Sequence, residues 1–271
     1  MVDRLSAFDQ YFEIVQALTA EQVTQGQRLR FQVFSLERQL FSQEQCPEGI
    51  EFDVFDSRSV HSHLQHRTTN QLAATVRLVL SNPLFPEEEF PLEKRLQFPL
   101  YYEAIDVRSL PRSFIAEISR FAISKQFRHR AGDDGFEESQ IDRRASAAAT
   151  PNQFTSNRRA EGRRSFPHIS LGLFKAIVQM SAVNNVQYWY AAMEPSLIRL
   201  LSRFGIHFHL LGPLIDYLGK RQPCIASVEE LLGRMATERP DVWAFITDNG
   251  HLLGGSYFPR PMTGEADMLQ R

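Results

Sequence analysis

Hydrophobic and polar positions follow a helical period near the start of the chain. Thr19 is followed by Gln22 at the spacing of a capping box, so a helix is predicted to begin at Thr19. The apolar positions of this helix recur every three or four residues, which predicts one buried stripe. The stripe consists of Leu29, Val33, Leu36 and Leu40.

Runs of apolar or alternating residues further along predict strands and more helices. Strands are predicted at 11–15, 61–66, 71–80, 113–123, 188–193 and 207–215, the last paired with 222–226. Thr68-Thr69-Asn70 predicts a hairpin turn. Helices are predicted at 167–183, with Pro167 in the first turn, at 195–204, with Gly205 as C-cap, and after Ser227. This order predicts an α/β (α+β) fold in which a mixed sheet has helices on both faces.

One segment, residues 126–166, interrupts these patterns. It has few large apolar residues and carries arginine pairs at 143–144, 158–159 and 163–164. Such a composition buries too little surface to order itself, so it predicts a mobile basic insertion. Because strand and helix patterns resume directly afterwards, we expect a single domain over residues 1–260, with a tail at 261–271.

Composition excludes several classes of protein. The 271 residues are 43% hydrophobic with a net charge of −2, which argues against a disordered chain and a globally basic nucleic-acid binder. Two cysteines, Cys46 and Cys224, indicate a reducing compartment. No apolar stretch reaches the length of a membrane span, so a cytoplasmic protein without stable membrane insertion is expected. The 21 phenylalanines fit a Phe-rich core or an apolar slot for a ligand.

A spaced set of charged residues is the main candidate for chemistry. Arg77 lies within one apolar strand, and Glu117 and Arg120 lie within another. Charges in apolar strands are rarely buried unless they are paired. Arg30 and Phe34 lie one turn apart on the first helix, beside its apolar stripe, and Asp53 and Asp56 follow three residues apart. This set predicts either an internal salt-bridge network or a polar pocket for a charged substrate.

The spacing of Glu117 and Arg120 adds one geometric expectation. Side chains three apart on a regular strand point to opposite faces of the sheet. A β-bulge between these two residues would bring both to one side, and bulges are over-represented next to active sites.

Histidines raise a metal alternative. His61, His63 and His66 lie close together in sequence, as do His207 and His209. A metal site needs a further ligand at the right distance, and a solvent-facing hairpin edge explains the first group equally well. No metal is therefore expected.

Four blocks of sequence carry a resemblance to a known family. They are Leu29-Arg30-Phe31-Gln32-Val33-Phe34, Glu51-Phe52-Asp53-Val54-Phe55-Asp56, Ala74-Thr75-Val76-Arg77-Leu78 and Glu117-Ile118-Ser119-Arg120-Phe121-Ala122. Over residues 10–125 the chain resembles the acyl-homoserine-lactone (autoinducer) synthases, which share the GNAT acyltransferase fold. The resemblance implies a mixed, mostly antiparallel sheet with helices on both faces.

Blocks in the second half resemble a narrower branch. They are Gly172-Leu173-Phe174-Lys175, Trp189-Tyr190-Ala191-Ala192-Met193-Glu194-Pro195-Ser196 and Arg221-Gln222-Pro223-Cys224. They are similar to acyltransferases associated with PEP-CTERM/exosortase systems, a branch similar to long-chain N-acyl amino acid synthases.

The resemblance implies roles for the charged set. Glu117 would act as general base, through water, in direct attack of an amine on a thioester, with Arg120 beside it as a second catalytic residue. Arg30, Phe34, Asp53 and Arg77 would bind the amine substrate, and Asp56 would support their loop. The implied reaction is acyl transfer from an acyl-carrier protein to an amine such as an amino acid, with no cofactor beyond the acyl-ACP or acyl-CoA donor.

Departures from the family keep alternatives open. Autoinducer synthases carry a tryptophan where this chain has Leu40 and Phe41, at the end that binds S-adenosylmethionine. Two alternatives to the implied reaction are kept. One is a true autoinducer synthase using S-adenosylmethionine, and the other is a non-catalytic acyl- or carrier-binding regulator. The absence of an R-x-x-G-x-G loop before Pro167 favours an acyl-carrier protein over acyl-CoA. Arg163 and Arg164 fit either a solvated loop or a docking site for that carrier and its phosphate.

Overall fold

The computed structural model describes residues 8–96, 107–128 and 165–253. Within them one sheet is formed by β1 (Phe12–Gln16), β2 (Ser59–His66), β3 (Leu72–Leu80), β4 (Ile115–Ile123), β5 (Tyr188–Met193), β6 (His209–Leu210), β7 (Ile215–Asp216) and β8 (Lys220–Ser227). The helices are α1 (Ala20–Phe31), α2 (Ser165–Val183), α3 (Pro195–Ser202), α4 (Val228–Glu238) and α5 (Pro240–Thr247). Single helical turns lie at Phe8–Tyr11 and Lys125–Arg128, and 3-10 turns at Gln43–Gln45, Pro47–Gly49, Val54–Arg58, Glu93–Arg95, Arg112–Phe114 and His251–Leu253.

The sheet runs in the order β1-β2-β3-β4-β5-β8-β6, with β7 paired to β8. Its neighbouring strands are antiparallel except β4 and β5, which run parallel. These two pair only from Ile115 opposite Tyr188 to Ile118 opposite Ala191. The predicted mixed, mostly antiparallel sheet is confirmed.

The two faces of the central strands differ in character. One face, called the apolar face, carries Leu64, Val76, Leu78, Ile118 and Trp189, which form the main core together with residues of α2, α4 and α5. The opposite face, called the charged face, carries His63, Arg77, Glu117, Ser119 and Tyr190, and α1 packs against it. Helices therefore cover both faces, as the sequence predicts.

Two glycines let helices approach β2 from opposite sides. A Cβ atom on Gly26 of α1 would overlap the imidazole ring of His63. A Cβ atom on Gly172 of α2 would come within 2.5 Å of the Phe8 ring and 3.1 Å of Leu64. His63 and Leu64 are consecutive residues of β2, so each glycine seats its helix on one face of the same strand.

Several local predictions are confirmed. Thr19 caps α1 with the predicted capping box to Gln22, and Ser227 caps α4 by accepting from the backbone N–H of Glu230. Asn70 has a positive φ of 58° in the turn between β2 and β3, and Gly205 has a φ of 74° after α3. Asparagine and glycine adopt a positive φ at the least steric cost, so they are favoured at these two positions.

The predicted stripe of the first helix is wrong at Leu36, whereas Leu40 is partly buried and packs against the cluster of Leu29 and Val33. After Phe31 the helix widens into a π-helix at Gln32–Glu37, in which the backbone N–H of Arg38 reaches the carbonyl of Val33. The wider turn rotates later side chains relative to the α-helical period. As a result Leu36 is 49% exposed, whereas Phe34, predicted to lie beside the stripe, is buried.

Two further predictions about elements are wrong, and one helix was missed. Tyr11 belongs to a helical turn and not to the first strand. The predicted strand at 207–215 is broken into β6 and β7, with Gly212 at a φ of 142° and Pro213 between them. Helix α5 was not predicted; Pro240 occupies its first turn, where the missing N–H costs nothing.

Within the described ranges, none of the helices combines the length and apolar character that a membrane crossing requires.

Candidate active site

A bulge in β4 shapes the charged face. Ser119 lies opposite Arg77, but the next paired residue, Ala122, lies opposite Thr75, so β4 has two residues where β3 has one. Arg120 sits in this bulge with a φ of 52°. Its side chain therefore points to the same face as Glu117, whereas their spacing on a regular strand would place the two side chains on opposite faces.

Arg30 of α1 connects the helix to the loop before β2. Its Nε atom donates to Glu51, and its two terminal nitrogens donate to both carboxylate oxygens of Asp56 at 2.5 and 3.0 Å. The guanidinium is buried, although Arg30 was predicted to lie beside the stripe. The bidentate geometry matches the planar guanidinium to the planar carboxylate.

Arg77 of β3 also donates hydrogen bonds to carboxylates through its guanidinium. Its terminal nitrogens donate to both oxygens of Asp53 at 2.6 and 3.0 Å, and one of them also donates to Asp56 at 3.0 Å. Its Nε atom donates to Ser119 Oγ at 3.0 Å. Asp53 and Asp56 are held by the 3-10 turn at Val54–Arg58, which Asp53 caps through the backbone N–H of Phe55.

Arg120 completes the set from the bulge. Its Nε and Nη2 atoms donate to Glu51 at 2.8 to 3.1 Å, and Nη2 also donates to Asp53 at 2.8 Å. Three arginines thus meet three carboxylates, and their formal charges cancel. We call Arg30, Glu51, Asp53, Asp56, Arg77 and Arg120 the charge network.

The carboxylates of the charge network are held ionised. Burial alone would raise the pKa values of Glu51, Asp53 and Asp56, but the arginine partners of each lower its pKa below the usual value. Burial alone would lower the pKa of Arg120, yet Glu51 and Asp53 raise it above the ordinary value. The network therefore stays charged across the physiological pH range.

The charged set was predicted to form either an internal salt-bridge network or a polar pocket, and the ion pairs show which holds for most of its residues. Arg30, Asp53, Asp56, Arg77 and Arg120 pair internally, which is the salt-bridge alternative. Asp53 is the most open member, with 26% of its side chain exposed. Glu51 was not predicted from the sequence. It lies two residues before Asp53 in the same block, and side chains two residues apart on an extended segment point to the same side.

Glu117 stands apart from this network. Its carboxylate accepts a hydrogen bond from the backbone N–H of Leu92 at 2.7 Å and forms no ion pair with any described residue. It lies opposite Val79 on β3 and Tyr190 on β5, beside a cluster that contains Phe90. Burial raises the pKa of Glu117 to about 8, against the Leu92 hydrogen bond and the positive charge of Arg77.

Phe34 lies one layer away from the network. Its ring packs edge-on against Phe41 at 6.2 Å between centroids, and the Arg120 guanidinium lies 5.5 Å from the centre of the Phe41 ring. Phe34 itself packs with Leu29 and Val33 in a small apolar cluster. Phe41 was not predicted as a site residue, and it supplies the aromatic surface nearest to Arg120.

The solvent-facing alternative for His61 and His63 is wrong. His63 is buried and bonds Thr75 Oγ1 and the carbonyl of Gln22, each at 2.9 Å. His61 is also buried, 3.7 Å from Asp56, and burial lowers its pKa to about 4. His207 pairs with a glutamate of α4, as does His209. No group of three or more metal-ligating side chains occurs among the described residues.

The predicted basic insertion lies largely outside the described residues. Arg163 and Arg164 belong to this part, as does the tail at 261–271. Of the arginines assigned to the insertion, Arg128 is described, and its guanidinium pairs with Glu37 at 2.8 Å.

Comparison with known proteins identifies the fold. Residues 29–136 match the family model described as an acetyltransferase (GNAT) domain. The match includes all residues of the charge network as well as Glu117. No curated protein sequence matches the chain significantly.

Solved structures agree with the family match. BjaI, a CoA-dependent acyl-homoserine lactone synthase crystallised with SAM and isopentyl-CoA, is 16% identical, with a TM-score of 0.50 over 88% of this chain and 98% of BjaI. TofI, in a ternary complex with an inhibitor and MTA, is 16% identical, with a TM-score of 0.50 over 83% of this chain and 96% of TofI. FeeM, an N-acyl amino acid synthase from uncultured soil microbes, is 12% identical, with a TM-score of 0.49 over 82% of this chain and 93% of FeeM. The family match over residues 29–136 shows an acyltransferase domain with the GNAT fold, as the resemblance implied.

Proposed function

We propose that this protein is an N-acyltransferase that moves a long fatty acyl group from an acyl-carrier-protein thioester to a small amine such as an amino acid. The observation that carries the proposal is Glu117, a buried carboxyl group that no arginine neutralises, on the same face as the charge network and three residues from the bulge. Its raised pKa suits a group that accepts a proton from an ammonium ion.

Proton transfer to Glu117 is the first step of the proposed reaction. The pKa of Glu117, about 8, lies far above that of an ordinary carboxyl group and is therefore closer to the pKa of an ammonium ion. A smaller gap between the two pKa values makes proton transfer less unfavourable in free energy, which favours general-base catalysis. We propose that Glu117 takes the proton through a water molecule and so generates the neutral amine.

Acyl transfer then follows by direct attack. The amine nitrogen bonds to the thioester carbonyl carbon and the C–S bond breaks. The departing thiolate takes up the proton that the nitrogen loses as the amide forms, and Glu117 returns its own proton to solvent. We propose that backbone N–H groups near the bulge stabilise the oxyanion formed on the carbonyl. The supporting geometry is the end of the β4–β5 pairing at Ile118, two residues before Arg120, beyond which β4 continues without ladder bonds to β5 in the described strands.

The charge network is proposed to form the acceptor end of the site. Asp53 exposes a quarter of its side chain and is the carboxylate best placed to receive an ammonium group. Arg30, Arg77 and Arg120 fix its orientation and that of Glu51, while Asp56 supports the loop through Arg30 and Arg77. Phe34 and Phe41 would provide the apolar wall.

The donor is proposed to carry a long chain. Each buried methylene contributes about 0.8 kcal/mol, which is roughly fourfold in affinity. We therefore expect kcat/KM to climb steeply from short to long acyl thioesters in assays with purified protein, with mass spectrometry identifying the N-acyl product. A preference for acetyl donors would contradict the proposal.

The carrier is tested separately from the chain length. Replacing both Arg163 and Arg164 with Ala should raise the KM of an acyl-carrier-protein donor and flatten its dependence on salt, because steering by exposed charges is screened beyond about 8 Å at physiological ionic strength. The kcat and the KM of the amine should stay unchanged. Equal KM values for variant and wild type from low to high salt would remove the insertion from the donor site and leave acyl-CoA as an equal candidate.

An autoinducer synthase that uses S-adenosylmethionine is the second candidate. The observation in its favour is Phe41, which places an aromatic ring over Arg120 in the region where that family carries its tryptophan. Calorimetric titration with S-adenosylmethionine separates the two candidates. Saturable binding would support the synthase, and its absence would support an amino-acid acceptor.

The link to a PEP-CTERM/exosortase system rests on the resemblance of the second half of the chain alone. We expect lipid extracts of cells expressing the chain to contain an N-acyl amino acid, and extracts of a strain lacking it to lose that lipid.

A further inference from the structure

Glu194 brings together two arginines from distant parts of the chain. It follows β5 and precedes α3, and its Oε1 atom lies 2.7 Å from Arg38 and 3.2 Å from Arg221. Arg38 ends the π-helix that continues α1, and Arg221 lies in β8. The Glu194 cluster, meaning these three residues, therefore connects the end of the π-helix to β8 and to the turn between β5 and α3.

The charges of the Glu194 cluster do not cancel. One carboxylate oxygen is shared by two guanidinium groups, which leaves one positive charge in excess. Arg128, which also acts on Glu194, is already paired with Glu37. Burial lowers the pKa of Arg221 against the attraction of Glu194, and the positive charge of Arg38 lowers it further. A guanidinium has several N–H donors, so two of them on one oxygen retain capacity for an additional anion.

The Glu194 cluster lies next to the charge network. Phe41 follows Arg38 by three residues, so the Cα atoms of Arg38 and Phe41 are at most about 11 Å apart. The Phe41 ring in turn lies beneath the Arg120 guanidinium. Tyr217, on the hairpin between β7 and β8, is close enough to both Arg120 and Arg221 to act on the charge of each. The hairpin pairs Ile215 with Arg221 and so fixes Arg221 beside it.

We propose that Arg38 and Arg221 bind the carboxylate of the acceptor, which makes the acceptor an α-amino acid rather than a simple amine. This inference rests on the proposed function and specifies its acceptor. Its ammonium end would face Asp53, the most exposed carboxylate of the charge network, and Glu117, which would take its proton. Its carboxylate would face the excess positive charge of the Glu194 cluster. A zwitterion matches both ends, whereas an amine or an α-amide matches only one.

The test compares acids with their amides. Acyl transfer from a palmitoyl acyl-carrier-protein thioester is measured with the standard amino acids and with the α-amide of each. We expect wild type to favour the acid over its amide by about tenfold or more in kcat/KM, as a charge-assisted bidentate contact provides.

Variants assign this preference to the two arginines. Arg221→Gln should raise the KM of the acid about tenfold or more and leave kcat, and the KM of the amide, unchanged, so that the preference disappears. Arg221→Lys should restore part of it. Arg38→Gln, at a side chain that is one-third exposed, provides a second variant that is expected to fold if Arg221→Gln does not. Arg234→Gln, which removes a similar surface ion pair with Glu238 on α4, is the matched control and should change nothing.

The outcomes separate this inference from the proposed function. A wild type that acylates neither acids nor amides overturns the proposed function. A wild type that acylates both equally, or variants that keep the preference, overturns this inference alone. Variants that raise the KM of the donor instead of the acceptor would assign the cluster to the phosphate of the carrier and would also overturn it.

Discussion

The two faces of β2, β3 and β4 bury side chains by different means. On the apolar face, Leu64, Val76 and Ile118 are buried by contact with α2, and any neighbour of similar shape would satisfy them. On the charged face, Arg77 is equally buried, but its charge is paired by Asp53 and Asp56 and its Nε atom bonds Ser119. The comparison shows that burial on the charged face depends on particular partners, whereas burial on the apolar face depends on volume.

The bulge makes this difference possible. In a regular strand Arg120 would face away from Glu51 and Asp53, and three carboxylates would share two arginines. The positive φ of Arg120 instead turns the third guanidinium toward them. The backbone cost of that conformation, about 1–3 kcal/mol, is offset by the charge pairing it permits.

Breaking one partner on each face should give the largest effect. Arg77→Met leaves Asp53 and Asp56 short of a positive charge, and we expect it to lower the free energy of unfolding by about 3–5 kcal/mol. Leu171→Ala in α2 opens a cavity on the apolar face and should cost about 2–5 kcal/mol. Urea unfolding measures both.

A second substitution distinguishes the two losses. Adding Asp53→Asn should recover part of the stability lost by Arg77→Met, with a coupling of about 0.5–3 kcal/mol, because it removes one of the two carboxylates that lose Arg77 as a partner. The same substitution added to Leu171→Ala should be additive within about 0.5 kcal/mol. Additivity in both pairs would contradict the difference between the faces.

Glu117→Gln should give the next largest effect, on turnover. The amide keeps the shape of the side chain and removes its basicity, so kcat should fall by about a hundredfold or more. Glu13→Gln, at an exposed carboxylate on β1, is the control and should keep wild-type turnover. Turnover near wild type in Glu117→Gln would remove Glu117 from the role of base.

The pH dependence of the same variant sharpens this prediction. Glu117 accepts a proton only when ionised, so kcat/KM of the wild type should rise with pH, with the midpoint of the rise near pH 8. Its pKa is higher in the folded than in the unfolded chain, so ionisation destabilises the fold as pH rises from about 4.5 through 8. Glu117→Gln should therefore lose turnover. Its free energy of unfolding, compared with that of wild type, should be higher at pH 8 than at pH 5, as urea unfolding at both pH values would measure.

The charge network contributes to the loss of stability at low pH. The pKa values of Glu51, Asp53 and Asp56 are lower in the folded chain than in the unfolded one. Their contribution is complete above about pH 5 and is lost as the pH falls through the folded values. Unfolding measured from pH 5 down to pH 2 should show this loss in Glu117→Gln as in wild type.

The sequence predicted what local patterns determine. Periodicity identified most strands, and local spacing identified the capping box at Thr19. The spacing of Glu117 and Arg120 showed only that the two side chains could share a face if a bulge lay between them, and the structure has that bulge. Periodicity failed where the backbone departs from the assumed period, because the π-helix at Gln32–Glu37 exposes Leu36 and buries Phe34. Glu51 was missed because its partners, Arg30 and Arg120, are 21 and 69 residues away in sequence. The fit of Gly26 against His63 is likewise a contact between distant segments.

The glycines of α1 and α2 extend the comparison to backbone packing, with smaller expected effects. Gly26→Ala would displace His63, which is held by hydrogen bonds to Thr75 and Gln22, whereas Gly172→Ala would displace the apolar rings and methyls of Phe8 and Leu64. Overpacking costs about 1–3 kcal/mol, and we expect Gly26→Ala to lie at the upper end of this range because it also breaks hydrogen bonds. Gly233→Ala in α4, where a Cβ atom meets no other atom, should stabilise the protein by up to about 1 kcal/mol and is the control.

His63→Ala in the Gly26→Ala background tests the proposed cause. Removing the imidazole should reduce the cost of Gly26→Ala but leave that of Gly172→Ala unchanged, since Leu64 points to the other face of β2. Thermal unfolding midpoints of the two double variants and their parents provide the measurement. If His63→Ala relieves neither glycine substitution, the close approach of α1 to the charged face depends on contacts other than the one between Gly26 and His63.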